Sequence, residues 1–352
     1  MKEYDFSRGI MPINRQNCFE DADYWTWCGS AVKGDDGKYY LFAARWSKQR
    51  PFFSGYVFSS EVVCAVADEM TGPFKYLYTV LPDRGEEYWD GRMTHNPTIH
   101  KFGDTYYLFY IGATYPGERP SPEELKLAHN PKQELAYSTV RIGLATAKSP
   151  LGPWKRADAP IFDINPEGWD SNVVTNPAAC FLNDGTVMLY YRSNTTQGCK
   201  LGVARGNVSD MHFERIAGPL FAEHPNWSIE DVYVWHNGEN FEMIAKDING
   251  NACGVNGGGV HFVSADGINW SPADNFVAYT RSHVFEDGSV RKLYHFERPC
   301  VLTENGIPIC LYVAAGEGGA DALPHESPSF AQMSSSRNQA VRLRCSDIRH
   351  LL

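Results

Sequence analysis

The stretch that decides the fold reads Asp184-Gly185-Thr186-Val187-Met188-Leu189-Tyr190-Tyr191, a turn followed by a run of apolar and aromatic residues. An Asp-Gly or Asn-Gly pair supplies the positive φ angles of a tight hairpin turn, and β-branched and aromatic residues favour a strand. The same pattern recurs, with small variations, at residues 36–42, 103–110, 237–244 and 305–312. Each of these five stretches therefore predicts the second strand of a hairpin.

A first strand precedes each of these runs and opens at a polar or proline-containing motif. The five motifs are Trp27-Cys28-Gly29-Ser30, His95-Asn96-Pro97, Thr175-Asn176-Pro177, Glu230-Asp231-Val232 and Glu297-Arg298-Pro299. A third strand follows in most units and closes with a turn and an aromatic residue. Five repeated units of short antiparallel strands predict an all-β fold, a five-bladed β-propeller. A helical fold is excluded, because no long apolar period of 3.6 residues appears.

The chain shows neither a linker nor a break in composition, so we expect one domain over residues 1–352. The blades are expected at roughly 25–80, 88–156, 168–216, 228–274 and 292–346, with a third strand of the last blade at 341–345. Residues 1–24 are expected to supply a closing strand or to pack on the disc. A polar insertion at about 115–135 contains the one plausible helix, near 122–127, and so long a loop is usually functional or mobile.

The charge balance excludes several classes of protein. The 352 residues include 32 Lys and Arg against 42 Asp and Glu, a formal net charge of −10. Nucleic-acid binding depends on clustered Lys and Arg, which this chain lacks. No run approaches the ~18 apolar residues of a membrane span, and the first eight residues lack the apolar core of a signal peptide. We expect a cytoplasmic protein with no nucleic-acid or membrane partner, and its oligomeric state stays unassigned.

The cysteines and histidines do not predict a metal centre. The nine cysteines are odd in number and widely spaced, with no CxxC pair, so we expect free buried thiols in a reducing compartment. No zinc-ligand or EF-hand spacing is present. We therefore expect no cofactor, and a structural calcium ion in the central channel remains an open alternative.

In a propeller, the residues that open the first strands converge at one end of the central channel. Here they combine carboxylates with aromatic rings, which is the chemistry of a sugar site: a glycosidase needs one carboxylic acid and one carboxylate. The candidate residues are Asp23, Trp25, Asp90, His95, Asn96, Asp170, Asn176, Glu230, Asp231, Glu297 and Arg298. The pairs Trp89-Asp90 and Trp169-Asp170 suggest a shared loop that enters this face, although both aspartates could instead cap turns.

Several of these motifs resemble a known group of enzymes. The run Ala145-Thr146-Ala147-Lys148-Ser149-Pro150-Leu151-Gly152-Pro153-Trp154 looks like the recurring blade ending of glycoside hydrolase family 43. The stretches 36–46, 89–91 and 95–99 look closer to family 117. Over about residues 20–345, the chain resembles the five-bladed propeller glycoside hydrolases, which include families 43, 32, 68 and 117.

The resemblance implies a base, an auxiliary aspartate and a general acid on blades one, three and four. Glu230 opens blade four, where family 43 has its acid glutamate. On blade three, Asn176 replaces the strand-opening aspartate, so Asp170 is the expected auxiliary carboxylate. On blade one, Cys28 stands where family 43 has an aspartate, which leaves Asp23 as the expected base.

The other candidates are expected to bind substrate. They are Trp25, Asp90, His95, Asn96, Asn176, Asp231, Glu297 and Arg298. Since the acid of family 117 is a histidine, His95 and His295 also stay under consideration as acids.

The expected function is a glycoside hydrolase that removes a terminal sugar from an oligosaccharide by carboxylate acid/base catalysis. Two alternatives remain open. A propeller-type phosphorylase would need a cationic phosphate pocket, for which the candidates are Arg45, Arg92, Arg192 and Arg298. A carbohydrate-binding propeller without activity would explain the loss of the blade-one acid at Cys28.

Overall fold

The computed structural model describes residues 3–126, 131–318 and 333–344. The chain begins with a one-turn helix, α1 (Phe6–Gly9), and a two-residue strand, β1 (Cys18–Phe19). The strands that follow build five four-stranded antiparallel sheets arranged as the blades of a propeller, and the first strands of neighbouring blades contact one another around the axis. The predicted all-β fold with five blades is confirmed.

The strands of each blade follow one another along the chain. Blade one contains β2 (Tyr24–Lys33), β3 (Tyr39–Ser47), β4 (Glu61–Ala67) and β5 (Lys75–Leu81). Blade two contains β6 (Met93–Phe102), β7 (Thr105–Ala113), β8 (Arg141–Ala147) and β9 (Lys155–Arg156). Blade three contains β10 (Thr175–Phe181), β11 (Thr186–Thr195), β12 (Gly198–Asn207) and β13 (Glu214–Ala217).

Blades four and five are joined by a short ribbon. Blade four contains β14 (Ile229–His236), β15 (Phe241–Asp247), β16 (Gly258–Ser264) and β17 (Ser271–Tyr279). The ribbon consists of β18 (Ser282–Val284) and β19 (Val290–Lys292), and blade five contains β20 (His295–Glu304), β21 (Ile307–Gly318) and β22 (Met333–Arg342). The fourth strand of blade five is β1, which pairs with β22 and closes the ring. The expected closing strand from the N-terminal segment is thus confirmed.

The five turn-and-strand repeats of the sequence become β3, β7, β11, β15 and β21. Gly37, Gly185 and Gly306 hold φ angles of 82°, 86° and 78° in three of the hairpin turns, where a side chain would be strained. The predicted third strand of the last blade is β22, which starts earlier than expected, and Cys345 lies outside the described residues. The eight cysteines within them are all free thiols, and seven are buried.

The apolar core is divided among the gaps between blades. Phe109 and Leu189 belong to a cluster between blades two and three, and Leu41 and Tyr312 belong to one between blades five and one. Similar clusters fill the other three gaps. This packing fixes each blade against its neighbours, so the first strands hold a constant position at the axis.

Two helical insertions emerge from the sheets. Helix α2 (Phe52–Ser59) lies between β3 and β4, and α3 (Pro131–Ser138) lies between β7 and β8, after a 3₁₀ turn at Glu124–Lys126. The predicted helix near 122–127 was therefore wrong, since that segment forms only the 3₁₀ turn and residue 127 lies outside the described part. Helix α2 was missed because its aromatic, apolar sequence shows no helical period. Within the described ranges, no helix is long and apolar enough to span a membrane.

Candidate active site

Each first strand carries a β-bulge at the same place. Five non-glycine residues there have left-handed φ angles, between 50° and 57°, and the strand pairing shifts register beside each of them. They are Cys28, Asn96, Asn176, Asp231 and Arg298. A bulge re-aims a side chain, and these five side chains, one from each blade, meet at the axis. We call them the axial ring.

Hydrogen bonds link the members of the axial ring. The Cys28 thiol donates to Asn96 Oδ1 at 2.9 Å, and Asn96 Nδ2 donates to Asn176 Oδ1 at 2.8 Å. Asn176 Nδ2 then donates to Asp231 Oδ1 at 2.8 Å, and Arg298 Nε lies 3.1 Å from that same oxygen. These bonds fix the floor of a cavity that lies above the ring.

The cavity has a volume of about 500 Å³. The residue that precedes each ring member lines it, which explains why the strand-opening motifs of the sequence are polar. These five residues are Trp27, His95, Thr175, Glu230 and Glu297. One polar or aromatic side chain from every blade therefore faces the same space.

Aromatic side chains build the wall of the cavity, and the two helical insertions contribute most of them. The rings are those of Trp27, Trp46, Phe52, Phe53, Tyr56 and Tyr137. Helix α3 is tied to the blade-three strand by a hydrogen bond of 2.9 Å between Arg192 Nη2 and the Tyr137 hydroxyl. Gln133 and Glu134 of the same helix also face the cavity, so the insertion predicted from sequence borders the site.

Glu230 is held by two cations. Its Oε2 lies 2.6 Å from Arg192 Nη1, and its Oε1 lies 3.2 Å from Lys246 Nζ. Burial acts to raise the pKa of Glu230, but Lys246 and Arg192 outweigh burial and hold that pKa below its ordinary value. Glu230 is therefore ionised in the unliganded protein, whereas the acid role implied by the family resemblance calls for a raised pKa.

Glu297 shares the same lysine. Its Oε2 contacts Lys246 Nζ and lies 3.2 Å from His295 Nδ1. Burial opposes ionisation, but Lys246 and His295 prevail and hold the pKa of Glu297 far below its usual range. Its other oxygen, Oε1, makes no hydrogen bond within the described part of the chain.

Asp231 is the carboxyl group of the three that favours the neutral form. Burial, reinforced by the charges of Glu230 and Glu297 and opposed by Arg298 and Lys246, raises the pKa of Asp231 to about 7. The cavity therefore holds carboxyl groups in two protonation states near neutral pH, which acid/base catalysis requires.

Seven of the eleven residues predicted for the site line the cavity. They are His95, Asn96, Asn176, Glu230, Asp231, Glu297 and Arg298. Asp23 is not among the lining residues: it lies in an exposed turn before β2, with its backbone N–H bonded to Asp21. Trp25 packs behind the cavity wall, against Phe52. These positions correct the expectations of Asp23 as base and Trp25 as a substrate contact.

The two Trp-Asp pairs make the same structural contacts in blades two and three, outside the cavity. Asp170 accepts hydrogen bonds from Tyr191 at 2.9 Å and Arg215 at 2.7 Å, and Trp169 stacks on the same tyrosine. Asp90 makes the matching bonds to Tyr110, Arg156 and Arg84 in blade two. Both aspartates are completely buried. The prediction that the two loops share one motif is confirmed. The carboxylates of this motif, however, bind side chains of neighbouring strands and do not line the cavity.

We predict that Asp170→Asn lowers the free energy of unfolding by about 1–3 kcal/mol, because a buried hydrogen-bonded charge pair with Arg215 is weakened. Turnover per folded molecule should change by less than ~3-fold, since Asp170 lies outside the cavity. Chemical denaturation and kinetics on the same preparation measure both quantities, and Asp90→Asn is the matched variant in blade two. A loss of turnover without a loss of stability would return Asp170 to the active site.

Two other residues that the sequence analysis singled out are buried and uncharged. Burial lowers the pKa of His95 well below its ordinary value, its ring stacks on Tyr56 at 4.6 Å, and its Nδ1 lies 2.8 Å from Ser60 Oγ. Burial also raises the pKa of the Cys28 thiol far above its usual range. Neither a histidine acid at position 95 nor a thiolate nucleophile fits this environment.

The sequence reading left Lys246 out of the site and gave Arg192 only a conditional role. Strand register places both, because the second-strand partners of Thr175 and Glu230 are Arg192 and Lys246. The corresponding partners in the other blades are Ala44, Ile111 and Ala314. The sequence signal that could have identified these two residues is a basic residue directly after a run of apolar strand residues, as in Ala245-Lys246 and Tyr191-Arg192.

Each arginine considered for a phosphate pocket already has an acidic partner. Arg45 pairs with Glu61 at 2.9 Å and Arg92 with Glu86 at 3.0 Å, and neither lines the cavity. Arg192 and Arg298 do line it, but they bind Glu230 and Asp231. In the ranges that the structure describes, no group of three or more His, Cys, Asp and Glu is arranged to hold a metal ion.

The chain was compared with known proteins at three levels. No family model matches it, and no curated protein matches it in sequence. Solved structures, in contrast, do match the chain. A family 117 glycoside hydrolase from the marine bacterium Zobellia galactanivorans is 16% identical, with a TM-score of 0.64 over 96% of this chain and 92% of that one.

Two further solved structures show the same likeness. A thermostable family-43 glycoside hydrolase is 14% identical, with a TM-score of 0.61 over 96% of this chain and 94% of that one. An arabinanase from Bacillus subtilis is 11% identical, with a TM-score of 0.58 over 93% and 96%. At these identities the likeness shows the fold: this chain has the five-bladed propeller found in those glycoside hydrolases.

Proposed function

We propose that this protein is a glycoside hydrolase that removes a terminal sugar from an oligosaccharide. The observation that carries the proposal is the cavity above the axial ring, which combines an aromatic wall with buried carboxyl groups in two protonation states. Aromatic faces suit the apolar faces of sugar rings, and glycoside cleavage uses one carboxylic acid and one carboxylate. The shared fold of the glycoside hydrolases supports the same conclusion by analogy.

The shape of the cavity favours action on chain ends. The axial ring closes it below, and helices α2 and α3 stand at its side through Phe52, Phe53, Tyr56 and Tyr137. A volume of about 500 Å³ accommodates a short saccharide and no long chain passing through. Release of one terminal unit is therefore the expected mode of action.

One alternative keeps a specific observation in its favour. The strands of blade one contribute Trp27 and Trp46 to the lining of the cavity, so neither residue supplies the acid that the family 43 pattern has on this blade, and burial keeps the neighbouring Cys28 thiol neutral. A sugar-binding propeller without activity would account for this. The phosphorylase alternative gains no such support, because the four arginines considered for phosphate are all ion-paired.

The proposal is tested by a turnover screen. Aryl glycosides and short plant and algal oligosaccharides are incubated with the wild-type protein, each with and without inorganic phosphate. We expect release of single terminal sugars that does not depend on phosphate. Phosphate-dependent release of sugar phosphate would instead identify a phosphorylase. Absence of any release, together with sugar binding in calorimetry, would contradict the hydrolase and favour the binding propeller.

A further inference from the structure

We propose that Asp231 is the proton donor of this site, and that Glu230, which opens the same strand, is a positioning residue. This assignment rests on the proposed glycoside hydrolase function. It differs from the pattern implied by family 43, which puts the acid at Glu230. The evidence is the pairing of each carboxylate oxygen in the cavity.

Both oxygens of Glu230 are bound by cations. Oε2 is held by Arg192 and Oε1 by Lys246, and both cations are themselves largely buried, with side chains 14% and 10% exposed. A carboxylate flanked in this way stays ionised, because protonation would remove the acidic partner of Arg192 and one of the two acidic partners of Lys246.

Asp231 has one oxygen fixed and one available. Its Oδ1 accepts from Asn176 Nδ2 and lies 3.1 Å from Arg298 Nε. Its Oδ2 makes no hydrogen bond within the described residues, and it is not among the fully buried polar atoms that lack a partner. The Asp231 side chain is only 2% exposed, but it lines the cavity, and an unbonded oxygen on a cavity-lining carboxyl group is the geometry that a general acid needs.

The axial ring fixes how Asp231 is presented. Asn176 Oδ1 accepts from Asn96 Nδ2 at 2.8 Å, from Thr175 Oγ1 at 2.9 Å and from Arg298 Nη2 at 3.3 Å. Because three donors converge on this oxygen, the amide can only turn its nitrogen towards Asp231. The contacts to Oδ1 thereby hold the carboxyl group in one orientation.

The charges around Asp231 agree with a proton held near neutral pH. The titratable and charged groups that interact with it come from six strands: Glu230 on β14, Lys246 on β15, Tyr279 on β17, Glu297 and Arg298 on β20, Cys28 on β2, and Cys199 on β12. Burial is the largest influence, and the balance raises the pKa of Asp231 to about 7. Glu297 supplies the complementary ionised carboxylate, with Oε1 unbonded in the described part of the chain.

The reaction then balances as follows. The Oδ2–H bond of Asp231 breaks and its proton goes to the glycosidic oxygen, which keeps the electron pair of the breaking bond to the anomeric carbon. A water molecule gives its hydroxyl group to that carbon and its other proton to Glu297. The products are the free sugar and the shortened alcohol, and exchange with solvent returns the proton to Asp231.

The experiment compares leaving groups in two matched variants, Asp231→Asn and Glu230→Gln. An acid is needed only for a poor leaving group, so Asp231→Asn should lose at least ~10²-fold in kcat on alkyl or sugar leaving groups and less than ~10-fold on dinitrophenyl glycosides. Glu230→Gln should lose activity similarly on both. The opposite pattern, with leaving-group dependence confined to Glu230→Gln, would overturn the assignment. Thermal unfolding of both variants checks that each is folded.

A second measurement needs no substrate. Asp carboxyl carbons are labelled with ¹³C, and the resonance missing from Asp231→Asn is followed against pH in the wild type. We expect it to titrate near pH 7, and titration below pH ~5 would overturn the inference. If the turnover screen finds no hydrolysis, the proposed function fails, and this titration still decides which carboxyl group carries the proton.

Discussion

Replacement of Lys246 by methionine is expected to lower the free energy of unfolding at pH 7 by about 3–5 kcal/mol. Lys246 Nζ contacts both Glu230 and Glu297, and all three side chains are at least 87% buried. Methionine keeps an unbranched chain of four heavy atoms but removes the ammonium group. The two buried carboxylates of Glu230 and Glu297 then lose the positive charge that lies between them. Breaking a buried ion pair by removing one partner is strongly destabilising.

The loss should depend on pH in a defined direction. In the wild type the pKa values of Glu230 and Glu297 are lowered, so these groups contribute stability above the unfolded value of ~4.3, and the contribution is lost as the pH falls through the folded pKa. The Lys246→Met variant lacks a cation that opposes the effect of burial, so the pKa values of Glu230 and Glu297 rise. Protonation then relieves the repulsion, so the gap between the two proteins should narrow as the pH falls through these raised pKa values.

Urea unfolding of wild type and Lys246→Met from pH 4 to pH 8 measures this gap. The double variant Lys246→Met/Glu297→Gln is the control, because it removes one of the stranded charges and should recover part of the loss. Lys246→Arg keeps the positive charge and should lose less. A gap that is constant across the pH range would show that lost packing, rather than lost charge, causes the destabilisation.

Glu230→Gln is expected to lower kcat at pH 7 by at least about 10²-fold, whichever glycoside is used. Its carboxylate neutralises Arg192 and Lys246 and is the neighbour of Asp231 along the chain. Loss of a preorganised charge at a reacting centre typically costs 10²–10³-fold. Glutamine has nearly the same shape, so the change acts through charge rather than through packing.

The pH–rate profile separates this role from a structural one. Burial is the main cause of the raised pKa of Asp231, and the charge of Glu230 raises it further. Without that charge, Asp231 should lose its proton at lower pH, so the alkaline limb of kcat should move to lower pH in Glu230→Gln. An unchanged profile with an unchanged kcat would contradict any part for Glu230 in the reaction, and Asp170→Asn is the matched control outside the cavity.

The architecture could be predicted from sequence because its signals are local. Turn pairs such as Asp36-Gly37 and Asp184-Gly185, each followed by a strand-forming run, mark the hairpins directly. The strand-opening motifs were equally informative, since a bulge at the same position in each blade brings Asn96, Asn176 and Asp231 to the axis. Seven candidate site residues reach the cavity for this reason.

The rest depends on pairing between distant residues, which one sequence does not display. Asp90 and Asp170 follow tryptophans in loops that look like site loops, yet Arg156 and Arg215 from the outer strands of their blades bind them. In blade one, Trp27 holds the position that His95 holds in blade two, whereas the sequence comparison placed Cys28 at the family 43 aspartate. The protonation states were also hidden, since they arise from burial and from two cations, Lys246 and Arg192, that face the site from second strands.

The most direct test of the central claim is a crystal structure of Asp231→Asn with the intact oligosaccharide that the wild type cleaves fastest. We predict the terminal sugar inside the cavity above the axial ring, against the aromatic wall. The glycosidic oxygen should lie within hydrogen-bonding distance (~2.6–3.2 Å) of the side chain at position 231. A sugar bound elsewhere, for example at the surface loop of residues 223–227, with the cavity empty, would contradict the account.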